Sequence, residues 1–193
     1  MAWAPDYITA SDLKSYLRIT DTDDDAELGF AITAASRAID RAANRQFGVV
    51  GAAEERTYES RWDRRRALYV VEIDDLMTVS GLVITDENGD TISTSDITLE
   101  PKKAAAEGRP WTQFTISSVT SEVVVEAIWG WSAVPTAIKQ ATLIQSSRLF
   151  ARRNSPYGIA GSPDLGSELR LLAKVDPDVE VAIGPYRRWW AAA

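Results

Sequence analysis

The chain has 193 residues, of which 45% are hydrophobic and 25% charged; this composition fits a globular protein and argues against disorder. It contains neither cysteine nor histidine, which excludes a disulfide framework and a thiolate metal site and removes the commonest general base. The net charge of −7 is opposite in sign to that of proteins that hold nucleic acid by neutralising phosphates, although like-charge repulsion suits a protein that lies beside DNA without adhering.

No apolar run approaches the ~18 residues of a membrane span, and the first residues lack the basic and apolar regions of a signal peptide. The expectation is one domain over residues 1–193, made and used without export. The first element is a short helix from Ile8 to Arg18, with Thr9 as N-cap, Asp12 completing a capping box, and Ile8 and Leu13 placed as a hydrophobic staple. Acidic residues Asp21 to Asp25 lead into a long helix ending near Gly48. Its apolar stripe is Leu28, Ile32, Ala35, Ile39 and Ala42, rich enough in alanine for a neighbour to approach closely. Gly48 is expected to cap it in the left-handed conformation. Together these helices form an antiparallel hairpin over residues 8–48.

From Arg56 to Trp131 the pattern changes to short runs rich in Val, Ile, Thr, Tyr and Trp. They lie at 56–59, 68–71, 82–85, 91–93, 97–100, 112–117 and 122–129, and read as an antiparallel β insertion. Asn88-Gly89 has the residues of a type I′ hairpin turn. Lys102 to Pro110 reads as a polar loop. Helix resumes over 134–154 with Pro135 in its first turn and Ile138, Ala141, Leu143, Ile144, Leu149 and Phe150 as its apolar face. Residues 157–166 read as a mobile loop, and 168–175 fits either strand or helix. Asp176-Pro177 starts a last short helix stopped at Gly184-Pro185, ahead of a tail from Tyr186 to Ala193. The fold class expected is α+β, mainly α.

Signals of chemistry are weak. No phosphate-binding glycine loop or nucleophile elbow is present, and the missing histidine and cysteine argue against an enzyme. Asp21-x-Asp23-x-Asp25 and Asp86-x-Asn88-x-Asp90 open like calcium loops, but the required Gly and twelfth-position Glu are replaced by Ala26 and Ile32 in one and by Thr91 and Ile97 in the other. Helix capping and turn formation account for both, so no metal and no cofactor are expected. Arg61 to Arg66 interleaves arginine with Trp62, but nearby Glu54, Glu55, Glu59 and Asp63 nearly cancel it; the reading is a solvated hairpin edge, ahead of a protein contact and of nucleic acid. The tail offers Tyr186, Arg187, Arg188, Trp189 and Trp190, residue types enriched in interface hot spots, unless they fold back onto the chain's own core.

The ordered series of these segments resembles the head-to-tail connector, or adaptor, proteins of long-tailed bacteriophages. It runs from TASDLKSYLRI at Thr9 through the long alanine-rich helix, Arg56 to Tyr58, the strands LYVVEIDDLMTVSGLVITDENGD and the Trp129-Gly130-Trp131 triplet. It continues with VPTAIKQATLIQSSRLFARRNSPYG and DPDVEVAIGPYRR, and so covers about residues 8–188. The resemblance implies a structural protein of the virion neck, made in the host cytoplasm. It implies a homo-oligomeric ring of twelve copies on the portal protein that extends the DNA channel without sequence-specific binding. The ring would dock a downstream stopper or tail-completion protein, and no membrane is involved. The implied fold is a helical bundle with a β insertion. Asp176, Pro177, Tyr186, Arg187, Arg188, Trp189 and Trp190 are the residues expected to meet the portal. The alternatives are another neck component (a stopper or tail terminator) and a small acidic protein-binding module.

Overall fold

The computed structural model describes residues 4–118, 120–154, 159–160, 169–170 and 176–189. The chain divides into two compact units, one of residues 1–47 and 134–193, the other of residues 48–133. The first is helical and the second is built on a six-stranded antiparallel sheet, so the α+β reading holds. Among the described residues the helices still hold more of the chain than the sheet, but the balance is more even than mainly α.

In the helical unit, α1 (Ala10–Leu17) begins with the expected capping box: Thr9 Oγ1 accepts from the Asp12 amide at 3.1 Å, and Asp12 Oδ2 accepts from the Thr9 amide at 2.8 Å. Two amides that the helix leaves unbonded are thereby satisfied. Ile8 and Leu13 are buried together with Leu28 and Ile32, as the staple requires. Helix α2 (Asp25–Ala43) buries Leu28, Ala31, Ile32, Ala35, Ser36, Ile39 and Ala43. Lys14 Nζ reaches Asp25 at 2.7 Å between the two helices.

The cap of α2 differs from expectation. Asn44, with φ 51°, ends the helix, and Gly48 is used elsewhere. Asparagine tolerates the left-handed region, so the chain can turn four residues before the glycine. Helix α3 (Thr136–Ala151) packs on α2, with Pro135 just before its first turn rather than in it. Its buried face is Ile138, Ala141, Thr142, Gln145 and Ser146, more polar than the apolar set expected. Small side chains on both helices favour close approach, and Thr142 Oγ1 donates to the Ile138 carbonyl at 2.7 Å, which removes the cost of burying the hydroxyl. The last helix, α4 (Pro177–Ile183), buries Val179 and Ile183 against α3 and α2. The expected loop at 157–166 and the segment 168–175 lie outside the described residues except for the paired two-residue strands, here β7 (Ile159–Ala160) and β8 (Leu169–Arg170).

The β unit contains β1 (Glu54–Asp63), β2 (Leu68–Leu76), β3 (Val83–Asp86), β4 (Ile97–Glu100), β5 (Trp111–Ile116) and β6 (Glu122–Ala127), in the spatial order β3-β6-β1-β2-β5-β4. The run at 91–93 is not a strand; Thr91 makes one bridge to Thr85. The intervening turn is not type I′ either. Asp86 Oδ1 accepts from the amides of Asn88 and Asp90, both at 2.9 Å, so Asn88 keeps a negative φ and Gly89 alone takes a positive one, 85°.

The chain enters and leaves this unit side by side. Trp131 N donates to the Gly48 carbonyl at 2.7 Å, and Val50 N donates to the Trp129 carbonyl at 3.0 Å. Gly130 lies between them with φ 104°, and a Cβ there would stand 2.0 Å from the Gly48 oxygen. Both flanking tryptophans are buried, and each indole N–H is satisfied: Trp129 donates to the Glu54 carbonyl and Trp131 to Asp75 Oδ2, each at 2.8 Å. The Trp-Gly-Trp triplet is thus a packing device that only glycine can centre. Arg56 and Tyr58 belong to the same end of the unit. The Arg56 guanidinium stands 5.0 Å from the Trp129 ring centre and 2.8 Å from Asp74, which also accepts from the Tyr58 hydroxyl at 2.9 Å.

Gly130→Ala is expected to cost at least about 3 kcal/mol, because positive φ and backbone overlap act together; chemical denaturation followed by tryptophan fluorescence would measure it. Thr9→Ala should cost about 1 kcal/mol. The Thr9 backbone and hydroxyl bonds hold the Asp12 carboxyl below its ordinary range, so their contribution is present above that range and is lost as pH falls through the lowered value. In the variant, an NMR titration should find Asp12 moved back towards an ordinary carboxylate.

Candidate docking segment at the C-terminal end

The C-terminus of α2 presents carbonyls that no further helical turn satisfies. Residues 186–188 supply the missing partners. Arg187 Nε donates to the Ala42 carbonyl at 2.9 Å, the Arg188 amide donates to the Ala43 carbonyl at 2.8 Å, and Asn44 Nδ2 donates back to the Arg188 carbonyl at 3.3 Å. A guanidinium at the negative end of a helix is also favoured by the dipole. Tyr186 stacks edge-on against Phe47 at 5.9 Å between ring centres, and Tyr7 meets the same ring edge-on at 5.6 Å.

Beneath this trio lies a polar cluster. The Tyr7 hydroxyl donates to Asp40 and accepts from the Phe47 amide at 2.9 Å, while Arg37 Nε stands 3.0 Å from Asp40. Burial pushes the Tyr7 hydroxyl up and, as the largest cause, raises Asp40 as well; the bond from Tyr7 and the Arg37 charge oppose the Asp40 shift.

The expected docking residues therefore divide into three groups. Asp176 and Pro177 open α4: Asp176 Oδ1 accepts from the Asp178 amide at 2.9 Å, and its other oxygen pairs with Arg148 of α3 at 2.9 Å. Tyr186, Arg187 and Arg188 fold back onto α2 and Phe47. Trp189 is 77% exposed, with the Arg187 guanidinium 5.5 Å from its ring centre. Trp190 lies outside the described residues.

Among the described residues, the two most exposed large apolar side chains of the helical unit outside the expected site residues are Phe30 on α2, 77% exposed, and Val181 on α4, 78% exposed. A signal for each is present in the sequence. Phe30 falls off the stripe of Leu28, Ile32, Ala35 and Ile39, and Val181 falls between the buried Val179 and Ile183.

Charge is divided unevenly between the units. Residues 48–133 hold fifteen acidic and eight basic side chains, a difference equal to the −7 of the whole chain, whereas the remaining residues balance at thirteen of each.

A family model described as head completion protein matches residues 6–146, which takes in α1, α2, the whole β unit and most of α3. No match is found among curated proteins. Among solved structures, a chain described as "Neck of empty GTA particle computed with C6 symmetry" superposes with a TM-score of 0.57 at 16% identity, covering 100% of this chain and 95% of that one. At that identity the likeness speaks for the fold. Helix α4 and Trp189 lie beyond the residues that the family model matches.

Tyr186→Ala removes an aromatic contact inside the helical unit and should cost about 1–2 kcal/mol, whereas Trp189→Ala should stay within about 0.5 kcal/mol of the parent. Urea midpoints of the two variants would separate the packed Tyr186 from the exposed Trp189.

Proposed function

The chain belongs to the head completion protein family, structural proteins of the neck at the head–tail junction of phage-like particles and not enzymes, and from that premise we propose how it is used. Copies assemble as a closed ring on the portal, extend the DNA channel and present a surface to the next neck or tail-completion protein. Both units act together as a single connector domain of the bundle-plus-insertion type. The observation that carries this reading is the family match running unbroken from α1 into α3, across both units. The sixfold symmetry described for the similar neck structure supports a ring, and six or twelve copies each satisfy it; the expected number is twelve. The acidic excess of the β unit supports a channel that DNA passes through without adhering.

Trp189 and the residues after it are the portal contact. The side chain is large, apolar and exposed, and it sits immediately after a segment fixed to α2, so little ordering is needed to hold its base. Asp176 and Pro177 support that contact by seating α4.

Truncation after Arg188 keeps the bonds to Ala42 and Ala43. The shortened protein should therefore remain folded, with an unchanged circular dichroism spectrum and melting temperature, yet fail to join portal-bearing heads in an in vitro completion assay. Heads completed at the normal rate by the truncated chain would show that the contact lies elsewhere.

A further inference from the structure

The tip of the β1–β2 hairpin is held firmly by one aspartate. Asp63 Oδ1 accepts from the Arg65 amide at 2.8 Å and from the Arg66 amide at 3.3 Å, and Ala67 closes the loop with φ 53°. Arg66 folds back to Glu100 at 2.7 Å, and Trp62 stacks on its cross-strand partner Tyr69 with ring centres 5.0 Å apart. Arg61 is largely exposed and stands 3.6 Å from Glu72. Arg64 and Arg65 project from this rigid tip, and among the described residues neither side chain has an ionic or hydrogen-bonding partner.

The outer face of the β1–β6 pair shows the opposite sign. Glu55 lies directly across from Glu126, and Glu59 directly across from Glu122, with the neutral pair Thr57 and Val124 between them. Like charges directly opposed on neighbouring strands destabilise a sheet. Among the described residues none of these four carboxylates has a cationic partner. The fold does not call for them, since the neutral pair occupies the same ladder equally well.

We propose that the Arg64–Arg65 tip of one copy seats on the Glu55, Glu59, Glu122 and Glu126 face of the next, as the head-to-tail contact of the neck ring. This rests on the ring reading given above. Tip and face are two different patches of opposite sign, and such patches join copies heterologously, the arrangement that closes into rings. A second copy suits the tip better than DNA does. Asp63 and Glu72 flank the arginines, so a phosphate backbone lying there would meet carboxylates in the same footprint.

The test uses the full chain in two charge-reversed forms. The tip form is Arg64→Glu/Arg65→Glu, and the face form is Glu55→Lys/Glu59→Lys/Glu122→Lys/Glu126→Lys, which exchanges like pairs for like pairs and so preserves the balance within the sheet. Sedimentation equilibrium at low salt measures self-association, and the number of copies bound per portal-bearing head measures it in place. Each form alone should associate at least about tenfold more weakly than the parent. An equimolar mixture should return to within about threefold, because each reversed tip then meets a face of opposite sign and the two forms alternate around the ring. A single Glu122→Lys, which turns one repulsive pair attractive, should raise the melting temperature while weakening association; that result rules out misfolding as the cause. If the parent forms rings and both reversed forms do so equally well, this contact is wrong and the ring reading stands. If the parent associates in neither setting, both fall together. A tip form that loses affinity for duplex DNA at unchanged assembly would assign the arginines to phosphate and overturn the proposal.

Discussion

The structure depends on a single backbone contact: Gly130 against the carbonyl of Gly48. An insertion of this size is tolerated in a helical unit when its two ends meet, because the flanking helices then connect as though by a short loop. Here the meeting is enforced by hydrogen bonds from Trp131 and Val50 and by two buried indoles, and it is closed tightly enough that a Cβ has no room. Helices α2 and α3 can therefore pack as a hairpin although the whole sheet lies between them in sequence. The triplet that stood out in the sequence as two large aromatics around a glycine is this closure.

Much of the fold was legible where the signal is local. The Thr9–Asp12 box, the staple from Ile8 to Leu13 and the Asp176-Pro177 start of α4 each involve residues within a few positions of one another, and each appears as read. The errors occur where two local signals compete or where a distant partner decides. Asn44 pre-empts Gly48 because both accept the left-handed region, and the glycine, with φ 116°, is used instead at the root of the sheet. Asn88-Gly89 carries the residues of one turn type, but the Asp86 carboxylate bonds two amides and selects another. The buried face of α3 includes Thr142, Gln145 and Ser146 in place of a wholly apolar stripe; close packing against alanines favours the small Thr142 and Ser146, and the Ile138 carbonyl satisfies the Thr142 hydroxyl. The site was legible only as composition. That Tyr186 to Arg188 serve α2 while Trp189 stays outside depends on contacts about 140 residues away in sequence.

The partition of charge is equally a property of the assembled chain. A net charge of −7 over 193 residues is unremarkable when averaged, and its physical meaning changes once all of it belongs to one unit. Both units expose large apolar side chains, but the helical unit is neutral overall while the sheet unit carries the acidic excess and one basic tip. Surfaces that differ in charge in this way suit the ring assembly proposed above, in which each copy meets its neighbours through two different faces.

The seal at the end of α2 has a mechanical side. The segment ending at Arg188 is pinned to the last turn of the longest described helix through Ala42, Ala43 and Asn44, so the helix and the segment that leads into Trp189 share one anchorage. Tension applied at Trp189 by anything that grips it is delivered within two residues to a rigid rod, with no slack loop to absorb it, and travels from there along the rod's axis into the packed interior.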